Sequence, residues 1–510
     1  MPRKRAAKPV TTMVSHRSPQ LAQLLEAAKT CRIEAVRRFL AAGGLPDTLV
    51  ELKHHDGEST VAPMIFQAIS THQIAQDPAL HHASLEVLLQ AGANADAICI
   101  DAKGQEHTTL MAAYKVPCCT APVRLLLAHG ANPALQTSAG EVALHIAASV
   151  GRADVCKLLL EAGCEPAVSD CNGMTPLARA VQHGHVRVVE LLHKQGGADI
   201  SGRRPNGATL LHLAAISGQR PLLEYLMRNG VGVDAATHEA VTPLQVAAQD
   251  GNTEAVQTLL EHGAGTTAVN FRGDNVLIVA IKGGHASVVK QLLSSGGSSS
   301  QPVDVNTRTA VGETALHIAL YFSNVHVVAA LLEHGAAVNM PDAKGITPLL
   351  AGAITASAQC VQLLLDAGAD FTVQHSTGVT VLHSAVSKVR GPEVLKLLLQ
   401  HSGAAALLDN VALECYCCGP RTAIMKCAQP VHLKLLLGAG ADVHKTTNRG
   451  NTALHVAAVH KFAAPVICLL IKAGVDLHAL NSAGMTAAQV AADSGTTLAA
   501  ALLIRAARDA

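Results

Sequence analysis

In GETALHIALYFSNVHVVAALLEHGAAVNMPDAK, residues 312–344, the apolar positions come in two short bursts separated by polar residues. Leu316, Ile318 and Ala319 mark one helix. Val327, Val328, Leu331 and Leu332 recur at i, i+1, i+4 and i+5 and mark a second, with all four in its buried stripe. The polar positions set the boundaries. Thr314 stands where an N-cap belongs, and sister segments put proline at the first helical position, in Thr175-Pro176, Thr242-Pro243 and Thr347-Pro348. Gly335 follows the second helix and suits a left-handed cap that turns the chain outward. From Asn339 to Lys344 the chain returns to the next unit as an extended finger or turn.

Glycine marks the recurrence of this unit. Counting from Gly140, equivalent glycines fall at 173, 207, 273, 312, 345, 378, 419, 450 and 484, with Ala240 in one slot, and most steps are 31 to 34 residues long. Two longer steps, of 39 residues from Gly273 and 41 from Gly378, carry insertions near 294–302 and 404–418. The chain divides into a basic disordered tail over 1–20, a degenerate N-terminal capping unit over 21–56 and two divergent repeats over 57–139. The array proper follows over 140–483, and a capping repeat over 484–510 ends almost at the terminus, leaving no room for an appended catalytic domain. Helices this short are marginal alone, so their stability must come from stacking on neighbours.

The pattern T-x-L-H-x-A-A, short helix, LLL-x-x-G-A, at a period near 33, resembles the ankyrin repeat family. The resemblance covers Gly140 to the C-terminus almost without a break, with weaker copies at 104–139 and 57–103. It implies an all-α fold, an ankyrin-repeat solenoid of stacked helix-turn-helix units with extended finger loops. It also implies a structural role for His145, His212, His317, His383 and His455, each a clamp at the start of a first helix that bonds nearby backbone or threonine groups. Elsewhere the same slot holds Ala178, Gln245, Ile278, Leu350, Met425 or Gln489, and an essential base would not be so dispensable from unit to unit.

Composition narrows the classes. Hydrophobic residues make up 49% but aromatics only 2%, with no tryptophan, so the core must be Leu, Val, Ile and Ala packed at close range. Thirty-nine basic against 38 acidic residues leave a formal charge of +1, which argues against nucleic-acid binding by the body of the chain. The opening MPRKRAAKPV is basic and could serve as a nuclear import signal, a transit peptide or a plain disordered tail. Thirteen irregularly spaced cysteines, with no signal-peptide region, read as reduced thiols of a cytoplasmic or nuclear protein. Apolar runs such as 463–471 fall short of the roughly 20 residues a membrane helix needs, so no membrane insertion is expected.

No phosphate-binding loop, nucleophile elbow or zinc-protease helix is present, so no catalytic residue and no cofactor is expected. The sharpest rival is a zinc site built from Cys415, Cys417, Cys418, Cys427 and His432, whose spacing fits no common finger. Cys427 aligns with the small buried slot of Ala147 and Ala457, and Cys118-Cys119 sit near a turn, so free thiols are the expected reading of both clusters. A stacked array presents its turns as a ridge beside the first helices, a long concave surface suited to a protein partner. The expected function is a non-enzymatic interaction scaffold or adaptor. A substrate-recruiting subunit of a ubiquitin ligase or kinase complex is the alternative, and it lacks a visible docking segment. Arg203, Arg204, Phe271, Arg272 and Arg308 fall just before repeat glycines and form the candidate partner-binding ridge, suited to an acidic or phosphorylated segment, with Glu239, Asp274 and Glu313 as counter-charges.

Overall fold

A computed structural model describes residues 33–53, 59–69, 78–101, 104–113, 120–294, 303–386, 392–412, 421–460 and 464–509. The basic tail over 1–20, Cys118-Cys119, residues 295–302 of the first insertion, and Cys415, Cys417 and Cys418 lie outside them. The chain forms two compact units, Met1–His238 and Glu239–Ala510.

Among the described residues, the first unit begins with the helix Ile33–Ala41 and includes two antiparallel strand pairs. Strand β1 (Leu49–Lys53) pairs antiparallel with β2 (Ser59–Pro63), and β3 (Ile98–Ile100) with β4 (Glu106–Thr108). Here the fingers are long enough to close ladder hydrogen bonds and become strands. Short helices flank them, and regular pairs follow: Ala143–Val150 with Ala153–Glu161, Pro176–Gln182 with Val186–Lys194, and Leu210–Ser217 with Arg220–Arg228. First helices pack on neighbouring first helices and second on second, as Ala143–Val150 does on Pro176–Gln182 and Ala153–Glu161 on Val186–Lys194.

The second unit repeats this scheme from the pair Pro243–Asp250 and Thr253–Glu261 to the pair Ala487–Asp493 and Thr497–Asp509. Within it lies the pair read first from the sequence, Ala315–Tyr321 and Val325–Glu333. Thr314 caps the first helix, its hydroxyl accepting from the His317 N–H, and Gly335 turns the chain at φ 82°. The second insertion begins with a short helix, Ala404–Leu407, formed from an alanine-rich run whose first and last residues are buried.

The core is aliphatic. Val327, Val328, Ala330 and Leu331 are buried on the second helix, whereas Leu332 is only half-buried, which corrects the stripe drawn from the sequence. Leu332 falls in the last turn, one turn beyond Val328 on the flank of the stripe. Leu160 and Leu365 take the same place in their repeats and are equally half-buried.

Candidate interaction surface

Several fingers are built by a short polar side chain three residues before the glycine. Asp170 Oδ1 accepts from the N–H groups of Asn172 and Met174, both at 2.8 Å. Asn270 does the same for Arg272 and Asp274, Asp342 for Lys344 and Ile346, and Asn481 for Ala483 and Met485. The main-chain turn is thereby locked by one acceptor. A second set of bonds ties several fingers to the one before. The Cys171 N–H donates to Ala139 O at 2.9 Å and His238 to Asn206 O at 3.0 Å in the first unit. In the second, Phe271 donates to Glu239 O at 3.2 Å and Ser482 to Arg449 O at 2.8 Å. The glycine is needed because the next finger passes where a side chain would project: a Cβ on Gly312 would stand 2.7 Å from Ala343 N. Its φ of 80° is the left-handed region that other residues adopt only with strain.

The five motif histidines are buried at the root of this ridge. The Nδ1 atom of His317 accepts from the Thr314 main-chain N–H at 3.3 Å and lies 2.8 Å from the Thr314 hydroxyl. An Nδ1 that accepts an N–H bond leaves the proton on Nε2. His317 Nε2 accordingly donates to Ile346 O of the next repeat at 2.9 Å. His145, His383 and His455 make the same span to Met174 O, Arg421 O and Met485 O. Burial holds the imidazoles of His145 and His317 below the ordinary range, against the pull of the carbonyl bond and nearby carboxylates. His212 receives the Thr209 N–H at 3.1 Å. Gln245 fills the slot with a neutral amide: its Oε1 accepts from the Thr242 N–H at 3.1 Å, and its Nε2 donates to Ala268 O and Asp274 O.

A second histidine set went unread in the sequence. His185 Nε2 donates to Ser149 O and His285 Nε2 to Gln249 O, each reaching from the start of a second helix to the preceding repeat. The facing Gly151 and Gly251 leave room for the rings, since a Cβ there would come within 2.5 Å of them. The recurring Gly-His before a second helix, at 184–185 and 284–285, was the available signal.

The candidate ridge residues divide by unit. In the first, Arg203 donates from Nη1 to Gly207 O at 3.0 Å and Ala236 O at 2.9 Å. Arg204 occupies the turn slot that Asp170 fills one repeat earlier, is half-buried, and points Nη2 at Asn172 O at 3.4 Å. In its finger Asn206 serves the turn instead, accepting from the Ala208 N–H. In the second unit, Phe271 is 77% exposed, and Val269 and Val311 stand 51% and 59% exposed. The fingers of Phe271 and Val311 are neighbours, for a Cβ on Gly273 would touch Ala310 at 3.3 Å. Arg272 and Arg308 are exposed on those same two fingers.

Of the zinc candidates, Cys427 and His432 are described, and both are buried. Burial pushes the Cys427 thiol up to about 12, which disfavours the thiolate a metal would need. Among the described residues no group of three or more His, Cys, Asp or Glu side chains could hold a metal ion, and no helix is long and apolar enough to cross a membrane.

A family profile described as Ankyrin repeats (3 copies) matches residues 71–170, 110–204, 162–237, 211–301, 298–375, 339–410 and 422–509. Among curated relatives, the NF-kappa-B inhibitor alpha of Sus scrofa is 33% identical over 105 residues, 20% of this chain and 33% of that protein. The human transient receptor potential cation channel subfamily A member 1 is 28% identical over 336 residues, 64% of this chain and 26% of the channel. The B-cell lymphoma 3 protein homolog of Mus musculus is 32% identical over 169 residues, 32% of this chain and 38% of that protein. The chain thus spans about a quarter to two-fifths of the length of these three relatives. The crystal structure of the ankyrin repeat domain of Bcl-3 is similar at 28% identity and a TM-score of 0.38, over 44% of this chain and 99% of that one. With the profile repeated over most of the chain, on the helix pairs and fingers described above, the protein belongs to the ankyrin repeat family.

Proposed function

We propose that the protein is a non-enzymatic interaction scaffold of the cytoplasm or nucleus, and that a partner protein docks on the fingers of its second unit. The observation that carries this is Phe271, an aromatic held at a finger tip by main-chain bonds on both sides and left 77% exposed. A large apolar side chain carried on a backbone already ordered loses little main-chain freedom on binding, which is what an anchor requires. Val269 and Val311 extend the apolar contact, and Arg272 and Arg308 border it with positive charge, favouring an acidic or phosphorylated segment. Arg203 and Arg204 of the first unit, engaged by carbonyls of their own chain, are assigned to holding fingers.

Two variants of the full chain test this. Phe271→Ala should weaken partner capture about tenfold, and Arg272→Glu with Arg308→Glu should abolish the salt sensitivity of capture, both with unchanged thermal unfolding. Capture that survives both changes in folded protein moves the docking face off these fingers.

A further inference from the structure

Along the series of finger glycines that begins at Gly140, one described slot holds a side chain, that of Ala240. Its φ of 58° lies in the left-handed region, where a Cβ brings strain; the slots before and after it, Gly207 and Gly273, stand at 81° and 75°. Other slots show what a Cβ meets there. Built on Gly140, Gly207, Gly273, Gly312 or Gly450, it would come within 3.3, 2.9, 3.3, 2.7 or 3.2 Å of the main-chain nitrogen of Cys171, His238, Ala310, Ala343 or Ser482, respectively. Each of those nitrogens belongs to the second residue before the next slot. Non-bonded carbon contacts are most favourable at ~3.5–4.0 Å, so at such approaches one side must give.

For Ala240 the next slot is Gly273, and the second residue before it is Phe271. By that register the Cβ of Ala240 is set against the main chain of the finger that carries the exposed ring. The bond between these two fingers is longer than its counterparts. Phe271 N–H reaches Glu239 O at 3.2 Å, whereas Cys171 reaches Ala139 O at 2.9 Å, His238 reaches Asn206 O at 3.0 Å and Ser482 reaches Arg449 O at 2.8 Å. In those three the slot is glycine and the finger seats closely; with alanine it stands off. The bond that closes the same finger is also long, Asn270 N–H to Asp274 O at 3.1 Å, where Asp170 to Met174 and Asp342 to Ile346 span 2.9 Å. On its other side the Phe271 finger meets the one that carries Val311, since a Cβ on Gly273 would touch Ala310. A shift away from Ala240 is therefore a shift toward Val311.

We propose that Ala240 is a positioning residue of the docking surface: its Cβ holds the finger over 269–273 off the finger before it and sets Phe271 toward Val311, gathering the exposed apolar groups that a partner grips. Glycine in this slot would let the finger settle back. The left-handed backbone of Ala240 is the local strain that accompanies this stance. The inference rests on the reading of these fingers as a protein-binding surface, and it adds the residue that fixes the anchor's place.

Two substitutions in the full chain separate the Cβ from the strain. Ala240→Gly removes both and restores the usual occupant of the slot, whereas Ala240→Asn keeps the Cβ and tolerates the left-handed region better than alanine does. Hydrogen exchange at the Phe271 amide should slow about threefold in Ala240→Gly, as its bond to Glu239 O closes up, and keep the wild-type rate in Ala240→Asn. The chain has no tryptophan, so Phe271→Trp supplies a single reporter whose emission should shift on adding Ala240→Gly and stay in place on adding Ala240→Asn. For binding, 12-residue phage-displayed peptides are selected on the wild-type chain and those lost on Phe271→Ala are kept. Their affinity should fall about fivefold in Ala240→Gly and hold in Ala240→Asn. Exchange, emission or affinity left unchanged by Ala240→Gly, or changed equally by Ala240→Asn, overturns the positioning role. A library that yields no peptide dependent on Phe271 overturns the docking reading instead, while exchange and emission still decide whether Ala240 sets the finger.

Discussion

At the scale of the residue, the histidine slot shows what a buried polar side chain contributes to a stack. Each imidazole satisfies a helix N-terminal N–H and, for His145, His317, His383 and His455, a carbonyl of the next repeat. His317→Ala strips both partners and should cost about 1 to 3 kcal/mol in denaturant unfolding. His317→Gln should cost markedly less, because Gln245 makes the same bonds in its own repeat. The same pair of residues sets a pH dependence. Burial depresses His145 and His317, so the unfolded chain binds more protons than the folded one once pH drops below the ordinary imidazole value of about 6.5. Their contribution is intact above that value and is lost as pH falls toward the depressed folded values. Asp154 and Asp170, also held below the ordinary range, lose theirs only near pH 4 and under. The stability lost between pH 7.5 and 5.5 should therefore shrink in a His145→Gln, His317→Gln variant. Equal losses in variant and wild type would assign the effect to other groups.

Elements here are defined less by their own propensities than by what passes beside them. Gly312 and Gly335 have nearly the same φ, 80° and 82°, but a Cβ on Gly335 meets nothing within 4 Å while one on Gly312 meets the next finger's backbone. Gly335→Ala should cost the left-handed strain alone, on the order of 1 to 2 kcal/mol. Gly312→Ala carries that strain plus a displaced finger, so its loss in thermal unfolding should be clearly larger; equal losses would show that fingers yield without cost. The helix pairs, their caps and the turning glycines were legible because periodicity and capping are local. The turn acceptors at Asp170, Asn270, Asp342 and Asn481 recur at one spacing and could have been read. Arg204 interrupting that series is the signal that its side chain is not free.

For the molecule as a whole, the energetics are those of neighbours. Leu331→Ala empties a fully buried site and should cost roughly 2 to 5 kcal/mol. In a stack that loss stays regional: hydrogen exchange should quicken first in 312–344 and the adjoining repeats, leaving the helices of the unit Met1–His238 protected as before. Uniform acceleration would mean that the chain unfolds as one body. The sequence by itself determined the family, the all-α repeat and the aliphatic core, because each follows from a pattern that closes within about 33 residues. Tertiary structure alone decided which exposed groups are available. Arg203 and Arg272 look alike in the chain, but Arg203 spends its donors on carbonyls of its own and the following finger, whereas Phe271 is pinned by its backbone and left bare. It also decided that Leu332 lies at the edge of the core. Such facts depend on which groups of adjacent repeats meet across the stack, and a one-dimensional period specifies the recurrence of a slot without specifying what fills the space between two of them.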